Sequence, residues 1–385
     1  MYALKLISKN ALRHKLRTSL TVFGLVVATF VFGLLQTVVG AWYAGAEAAS
    51  NTTLITRNAT SLVFALPLSY EAKIRAVEGV LGVGHANWFG GIYQDPKNFF
   101  AQFAISGKSY LDIYPDFIMP EADRAAFLRD RKGCIVGRKL ADQYGFKVGD
   151  VIPIRGTIYP GTWAFTVRAI YDGRQESTVT SQLFFHWDYL NEVVARSNPR
   201  RANAVGVYVV QINQPENAAS IAQAVDATFK NSLAETLTET EKAFQLGFVS
   251  MSEAIVAAVR LMSFVVIVII MAVMANTMAM SARERQSEYA TLKALGFGPG
   301  FVTGLIFGES LLLAMVGAAC GIALLFPAVA AVGKLLGTMF PVFHVSPQTV
   351  GLQVGAALVI AIVATIAPTL RATRTSIVDG LRSVA

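Results

Sequence analysis

Four long stretches without a charged residue constrain the fold of this chain more than any other feature of its sequence. They span residues 18–46, 261–282, 310–333 and 335–370. Each exceeds the ~20 apolar residues that an α-helix needs to cross the hydrocarbon core of a bilayer. The chain is 54% hydrophobic and only 15% charged, whereas soluble domains are roughly 25% charged. The sequence therefore predicts a membrane protein with four transmembrane helices.

The predicted transmembrane helices divide the chain into nine segments. Residues 1–17 are predicted to form an amphipathic helix at the cytoplasmic membrane surface, because Lys5, Lys9 and Arg13 recur every four residues beside an apolar face. The other predicted segments are transmembrane helices at 18–43, 253–282, 300–333 and 346–370, an outer domain at 44–252, a charged segment at 283–299, a short outer loop at 334–345 and a tail at 371–385.

The distribution of charge orients the helices and argues against a nucleic-acid partner. Residues 47–253 carry a net charge of −1, whereas the rest of the chain carries +9, most of it beside the apolar stretches. By the positive-inside rule, both termini and the charged segment at 283–299 face the cytoplasm. Because the chain crosses the membrane four times, the domain at 44–252 then lies on the opposite side. The basic residues therefore suit membrane lipid better than a nucleic acid.

The domain at 44–252 is predicted to be α+β. Its order of elements favours one split ferredoxin-like unit, into which residues 111–200 are inserted with short strands of their own. The elements of the unit are strands at 51–58, 82–93, 98–107 and 203–212, a short strand near 235–239, and helices at 68–80 and just after Pro215.

A helical pattern without a clear break runs from residue 241 to residue 280. A helix of that length would extend about 60 Å, which is twice the thickness of the hydrocarbon core. The second transmembrane helix is therefore predicted to continue outward as a stalk.

The charged segment SARERQSEYATLKALGFGPG, at residues 281–300, is more regular than a simple connection needs to be. Residues 281–295 have a helical pattern, which Gly296, Gly298 and Pro299 end. Leu292 and Leu295 are expected to be buried, which leaves the charged side chains available for an interface. The alternative is a solvated charged loop.

Two features of the third transmembrane helix predict close contacts. Glu309 is a carboxylate at a costly depth, so we expect it to pair with a basic or polar group; a proton relay is the alternative, but no second intramembrane acid is present. Small-residue spacings of the G-x-x-x-G type predict tight helix packing, and they occur at Gly304 and Gly308 and at Gly317 and Gly321.

No complete catalytic or metal-binding motif occurs in the sequence. Gly107, Lys108 and Ser109 match only the end of a phosphate-binding loop, because Gln102 replaces its first glycine. We therefore predict no catalytic residue, no metal site and no cofactor in this chain.

Four blocks of the sequence resemble MacB/FtsX-type ABC transporter permeases. Three of the blocks resemble their membrane region. They are NALRHKLRTSLTVFGLVVA at 10–28, RERQSEYATLKALGFGPGFV at 283–302 together with GESLLLAMVGAACGIAL at 308–324, and APTLRATRTSIVDGLR at 367–382. GCIVGRKLADQYGFKVGDVI at 133–152 is similar to part of the MacB-type outer domain. The resemblance covers nearly the whole chain in the correct order.

The resemblance implies an answer for the charged segment. In such permeases the helix between the second and third membrane helices is a coupling helix that docks on an ATPase and transmits its motion to the outer domain. The chain begins directly at the amphipathic helix, so the ATPase, with its ATP and Mg²⁺, is expected to be a separate polypeptide. The resemblance places at that interface Arg283, Glu284, Arg285, Glu288, Tyr289, Leu292 and Lys293.

The resemblance also implies further partners and leaves alternatives open. The chain is expected in a bacterial inner membrane, beside a second copy or a related permease, with a periplasmic adaptor and an outer-membrane channel that export drugs, peptides or toxins. A lipoprotein-releasing permease is one alternative. Another is an FtsX-like scaffold that activates a cell-wall hydrolase, although its outer domain is much smaller. A membrane-anchored enzyme would need a catalytic constellation that the sequence does not contain.

Overall fold

A computed structural model of the chain describes residues 13–175, 178–336 and 342–374. Four of its helices are long and apolar enough to cross a membrane, namely α1, α9, α11 and α12 as defined here. In chain order the helices are α1 (Lys15–Ala48), α2 (Tyr70–Arg75), α3 (Gly107–Ile113), α4 (Glu121–Arg129), α5 (Arg138–Tyr144), α6 (Trp187–Ser197), α7 (Ala218–Thr228), α8 (Glu241–Met251), α9 (Glu253–Glu284), α10 (Gln286–Ala294), α11 (Pro299–Leu336) and α12 (Pro347–Arg374).

The chain forms two compact units. One contains residues up to 40, 253–335 and from 343 onward, and the other contains mainly residues 41–252. The first twelve residues of the predicted amphipathic helix lie outside the described residues, as do positions 337–341 and 375–385. Lys15 begins α1, so the last three residues of the predicted surface helix belong to the first long helix.

The helix predicted to be continuous from residue 241 to 280 is interrupted at Ser252, so this prediction is wrong. α8 ends at Met251, Ser252 has φ −107° and ψ 12°, and α9 begins at Glu253. The hydroxyl of Ser250 donates to the carbonyl of Gly247 at 2.7 Å. Glycine and serine are weak helix formers, because glycine loses backbone entropy and serine competes for backbone hydrogen bonds. Their concentration here explains the interruption.

The unit that contains mainly residues 41–252 is called the outer unit here. It is built on a ten-stranded sheet within the described residues. Its strand order is β12-β1-β11-β3-β4-β9-β6-β8-β5, with β7 paired to β8, while β2 and β10 form a separate pair. The strands are β1 (Thr53–Asn58), β2 (Leu66–Pro67), β3 (Val80–Trp88), β4 (Ala101–Ile105), β5 (Phe117–Ile118), β6 (Gly133–Gly137), β7 (Val151–Gly156), β8 (Gly161–Gly173), β9 (Gln182–His186), β10 (Ala204–Val205), β11 (Val207–Ile212) and β12 (Thr236–Thr240).

The neighbouring strands β12, β1, β11 and β3 have the topology of the predicted split ferredoxin-like unit. α2 connects β1 to β3 and α7 connects β11 to β12. β11 lies between β1 and β3 and is antiparallel to both, and β12 is antiparallel to β1. Each crossover therefore encloses a strand of the other, which is the defining feature of this unit.

The predicted insertion extends the same sheet. β4 pairs with β3 and runs parallel to β9, after which β6, β8, β7 and β5 complete the sheet. The long strand β8 shows the period of two that directs alternate side chains into the core. Its buried residues are Trp163, Phe165, Val167, Ala169 and Tyr171.

The carboxylate of Glu241, at the start of α8, joins three parts of the outer unit. It accepts hydrogen bonds from the Tyr114 hydroxyl at 3.0 Å and from the Ser50 backbone N–H at 3.2 Å. Burial raises the pKa of Glu241 above its ordinary value. The folded unit therefore favours the neutral acid, and the stability that this preference gives is present at low pH and lost as the pH rises through the folded pKa.

This sign predicts how the variant Glu241→Gln behaves with pH. The glutamine side chain cannot ionise, so the variant escapes the cost of burying a carboxylate at high pH. We expect the thermal midpoint of the variant, measured relative to the wild type, to be higher at pH 8 than at pH 4.5. Circular dichroism of the purified full chain in detergent would measure both, with the exposed Glu235→Gln as control; a difference independent of pH would contradict the assignment.

Candidate coupling site

The charged segment after α9 contains a break where the sequence predicts one helix over residues 281–295. α9 extends to Glu284, Arg285 leaves helical geometry with φ −108° and ψ 14°, and α10 begins at Gln286. The sequence has no helix-breaking residue at this point. Tertiary contacts routinely override intrinsic helix propensity, and those of Arg285 account for the break.

The end of α10 is defined by a glycine. Gly296 has φ +91°, in the left-handed region that favours glycine. The N–H of Phe297 donates to the carbonyl of Leu292 and the N–H of Gly296 to that of Lys293, each at 3.0 Å. This pair of bonds is a Schellman motif, which satisfies the last carbonyls of the helix and turns the chain away.

Arg285 is buried and contacts three side chains. Its Nη1 donates to Glu309 and its Nε to Glu288, each at 2.9 Å, and its guanidinium lies 5.3 Å from the centre of the Tyr289 ring. Burial acts to lower the pKa of Arg285, but the phenol and the two carboxylates outweigh it and raise that pKa. Ser281 Oγ lies 3.5 Å from the other carboxylate oxygen of Glu309. Glu309 therefore has a cation and a hydroxyl as partners.

The start of α1 also pairs with the charged segment. Arg17 Nη1 donates to Glu284 at 2.7 Å, and Arg13 pairs with Glu288. Burial acts to raise the pKa of Glu288, but Arg285 and Arg13 outweigh it and lower that pKa. Partly exposed pairs of this kind contribute at most about 1 kcal/mol each. Their consequence is positional, because they place the start of α1 and the residues just before it beside the junction of α9 and α10.

Lys293, near the end of α10, contacts the last turn of α12. Its Nζ donates to the carbonyl oxygens of Ala372 at 2.8 Å and Thr373 at 3.1 Å. A cation at the carboxyl end of a helix satisfies free carbonyls and interacts favourably with the helix dipole. The ammonium group therefore connects α10 to α12.

The exposed surface of the segment is largely apolar at its carboxyl end. Leu295 is 71% and Phe297 43% exposed, so the expectation that Leu295 is buried is wrong. Leu292, in contrast, is partly buried and packs against the apolar core between the long helices, whereas Arg283 is exposed. The rings of Phe297 and Phe301 stack with centroids 4.7 Å apart. Sequence reasoning missed these aromatic residues, although their spacing around the Gly-Pro break was visible.

The two glycine pairs of α11 differ in their surroundings. A β-carbon at Gly317 would lie 2.5 Å from the Cβ of Leu25, and one at Gly321 would lie 2.9 Å from the Cβ of Thr29. These two glycines therefore allow α11 to approach α1 closely. A β-carbon at Gly304 meets no described atom within 4 Å, and Gly308 is half-buried.

The three residues that match the end of a phosphate-binding loop lie at the start of a short helix in the outer unit. Gly107, Lys108 and Ser109 form the start of α3, and the Ser109 hydroxyl donates to the carbonyl of Ser106 at 3.1 Å. Among the described residues, no group of three or more His, Cys, Asp or Glu side chains is arranged to hold a metal ion.

Two protein families match this chain. The MacB-like periplasmic core domain matches residues 18–228, which is more than half of the chain, and the FtsX-like permease C-terminal domain matches residues 260–377. The protein is thus a multi-pass membrane protein with an extracytoplasmic domain. It belongs to the MacB/FtsX-type family of ABC transporter permeases, a membership that implies an ATPase partner.

Solved structures of two extracytoplasmic domains are similar to about half of the chain. The extracellular domain of the noncanonic ABC-type transporter YknZ from Gram-positive bacteria is 13% identical, with a TM-score of 0.35 over 49% of this chain and 98% of that one. The periplasmic region of MacB from Actinobacillus actinomycetemcomitans is 8% identical, with a TM-score of 0.35 over 52% of this chain and 94% of that one. No curated protein matches the chain.

Proposed function

We propose that this chain is the permease subunit of an ABC transporter whose ATPase is a separate polypeptide, and that α10 is the coupling helix on which the ATPase docks. ATP and Mg²⁺ bind to the partner, and this chain contributes no catalytic residue. The basic flanks of the apolar stretches support an orientation with both termini and α10 in the cytoplasm and the outer unit in the periplasm.

The contacts of residues 284–293, which comprise the end of α9, the junction at Arg285 and most of α10, with the other three long helices carry this proposal. α10 follows α9 directly, and Arg285 between them pairs with Glu309 of α11. Arg17 of α1 pairs with Glu284, and Lys293 binds the end of α12. A force applied to this segment therefore reaches α9 through the chain itself and α1, α11 and α12 through polar contacts, as mechanotransmission from an ATPase requires.

The predicted interface residues and their exposed neighbours Leu295 and Phe297 divide into two roles under this proposal. Arg285 and Tyr289 are buried, so they position α10, together with Glu284, Glu288 and Lys293 through their pairs. The exposed residues Arg283, Leu295 and Phe297 form the surface offered to the ATPase. Aromatic and aliphatic anchors that enter a pocket on the partner typically dominate the affinity of an interface, while charges at its rim guide association.

The size of the outer unit favours export over signalling. A MacB-like core domain occupies more than half of the chain, whereas a signalling scaffold of the FtsX kind needs only a small outer domain. We therefore prefer a transporter that works as a permease dimer, of identical or related chains, with a periplasmic adaptor and an outer-membrane channel. Its substrates would be drugs, peptides or toxins.

Co-purification with the ATPase tests the docking surface. The tagged full chain is expressed in its native host, extracted in mild detergent, and compared with Leu295→Asp/Phe297→Asp. We expect the wild type to recover a nucleotide-binding ABC subunit, identified by mass spectrometry and by ATP hydrolysis. The double variant is expected to recover at least tenfold less, because losing two anchors costs about 2 kcal/mol or more.

The control introduces one aspartate at an exposed apolar position of the other unit. Leu233→Asp changes a fully exposed leucine of the outer unit and is expected to leave recovery unchanged. Equal recovery of the ATPase with the double variant would place the docking surface elsewhere. If the wild type recovers no ATPase, this result contradicts the proposal that the chain is a transporter permease with a separate ATPase.

A further inference from the structure

A cavity in the outer unit lies between the tip of the β7–β8 hairpin and the end of α6. Its volume is about 290 Å³, close to the lower end of the range for sites that bind small organic molecules. The residues that form most of its wall are Ile158, Tyr159, Trp163, Val193, Val194 and Arg201.

The aromatic wall of this cavity is held in place by contacts from behind. Tyr159 stacks on Phe89 with centroids 5.8 Å apart, and its hydroxyl accepts a hydrogen bond from Asn87 Nδ2 at 3.3 Å. Trp163 Nε1 donates to the carbonyl of Tyr159 at 3.1 Å, and the indole packs edge-on against Tyr189 at 5.4 Å. The polar atoms of both rings are therefore satisfied, and the half-buried Tyr159 ring, held by the buried Trp163 and Phe89, is part of a pre-organised apolar surface.

One positive charge lies at this surface. The guanidinium of Arg201 lies 5.7 Å from the centre of the Tyr159 ring. Arg201 has no ion-pair partner within the part of the chain that the structure describes. In contrast, the nearby Arg196 pairs with Glu192 at 2.6 Å. A guanidinium stacked on an aromatic face keeps its N–H groups available for an anion and binds carboxylates or sulfonates with two parallel hydrogen bonds.

We propose that this cavity is a binding site for small apolar acids, in which an aromatic or short aliphatic body packs against Ile158, Tyr159 and Val193 and a single anionic group pairs with Arg201. The apolar wall would supply most of the affinity through burial, and the arginine would supply the preference for an anion over a neutral molecule of the same shape. The site shares no residue with the α10 docking surface and stands independently of it.

Calorimetry on the full chain in lipid nanodiscs tests the proposal. The probe is 1-naphthalenesulfonate, its neutral counterpart is 1-naphthalenemethanol, and empty nanodiscs supply the blank for partition into lipid. We expect saturable binding of the sulfonate, tighter than that of the alcohol. Arg201→Gln is expected to weaken sulfonate binding about tenfold and to leave binding of the alcohol unchanged.

Two variants make the outcome decisive. Arg200→Gln removes the same charge from a neighbouring exposed position that does not line the cavity, and it is expected to bind like the wild type. Ser197→Phe adds a ring at the exposed rim and is expected to abolish binding of both probes. No saturable binding to the wild type, no preference for the anion, or equal losses in the two arginine variants would each overturn the proposal. Thermal midpoints equal to that of the wild type verify that the variants fold.

Discussion

Replacement of Arg285 by methionine is expected to destabilise the chain strongly, because it leaves the Glu309 carboxylate buried without its cation. The two side chains are 9% and 8% exposed, so solvent screens their interaction little. Removing one partner of a buried ion pair typically costs about 3–5 kcal/mol. For a unit of this size we expect a fall in thermal midpoint of about 10 °C, measured by thermal unfolding of the purified protein in mild detergent.

Two further variants distinguish the effect of losing the Arg285–Glu309 ion pair from the effect of losing one positive charge. Arg283→Met removes an arginine from an exposed neighbouring position and is expected to change the midpoint little. Arg285→Met/Glu309→Leu replaces both partners by apolar side chains and is expected to restore much of the stability. Under the proposed function, this double variant still couples poorly to ATP hydrolysis, because the junction between α9 and α10 has lost its polar contact with α11. A single Arg285→Met variant as stable as the wild type would contradict the role of the pair.

The membrane spans and the outer fold were predictable from the sequence because they depend on local patterns. Apolar stretches longer than a bilayer core and strands with a period of two are properties of contiguous residues. The order of strands and helices around β1, β3, β11 and β12 then leaves few topologies for the outer unit. That Glu309 needs a basic or polar partner was also predictable from local sequence, because the cost of a carboxylate at that depth does not depend on the fold.

The partner of Glu309 and the exposure of Leu295 were not predictable in the same way. Arg285 lies 24 positions before Glu309 in the sequence. The charge pattern alone does not distinguish the buried Arg285 from the exposed Arg283. Leu295 has the helical spacing of a buried residue, but the turn at Gly296 ends α10 and leaves this leucine at the surface. Both outcomes depend on tertiary contacts, which override the periodicity of a short helix.

The interruption at Ser252 shows a different limit. The glycine and serine residues of α8 were visible in the sequence, but long apolar helices tolerate such residues when neighbouring groups satisfy the backbone. The pattern therefore permitted either a continuous stalk or two helices. The local hydrogen bond of Ser250 and the conformation of Ser252 distinguish them.

Gly317→Ala is expected to be far more damaging than Gly304→Ala, although both glycines belong to G-x-x-x-G pairs of the same helix. The added methyl group at Gly317 would lie 2.5 Å from the Cβ of Leu25. That atom is fixed to the backbone of α1 and cannot move without moving the helix. Overpacking of this kind typically costs about 1–3 kcal/mol, and we expect a lower thermal midpoint and a lower yield of folded protein.

The matched change at Gly304 adds the same methyl group where no described atom lies within 4 Å. Alanine is the better helix former, by roughly 0.5–1 kcal/mol in helix interiors, so Gly304→Ala is expected to leave the midpoint unchanged or slightly higher. The sign of the difference between the two variants therefore tests whether α1 and α11 touch through Gly317. If Gly317→Ala unfolds at the same temperature as Gly304→Ala, the close approach of the two helices is wrong, and if Gly304→Ala is the more damaging variant, that glycine faces a helix outside this chain.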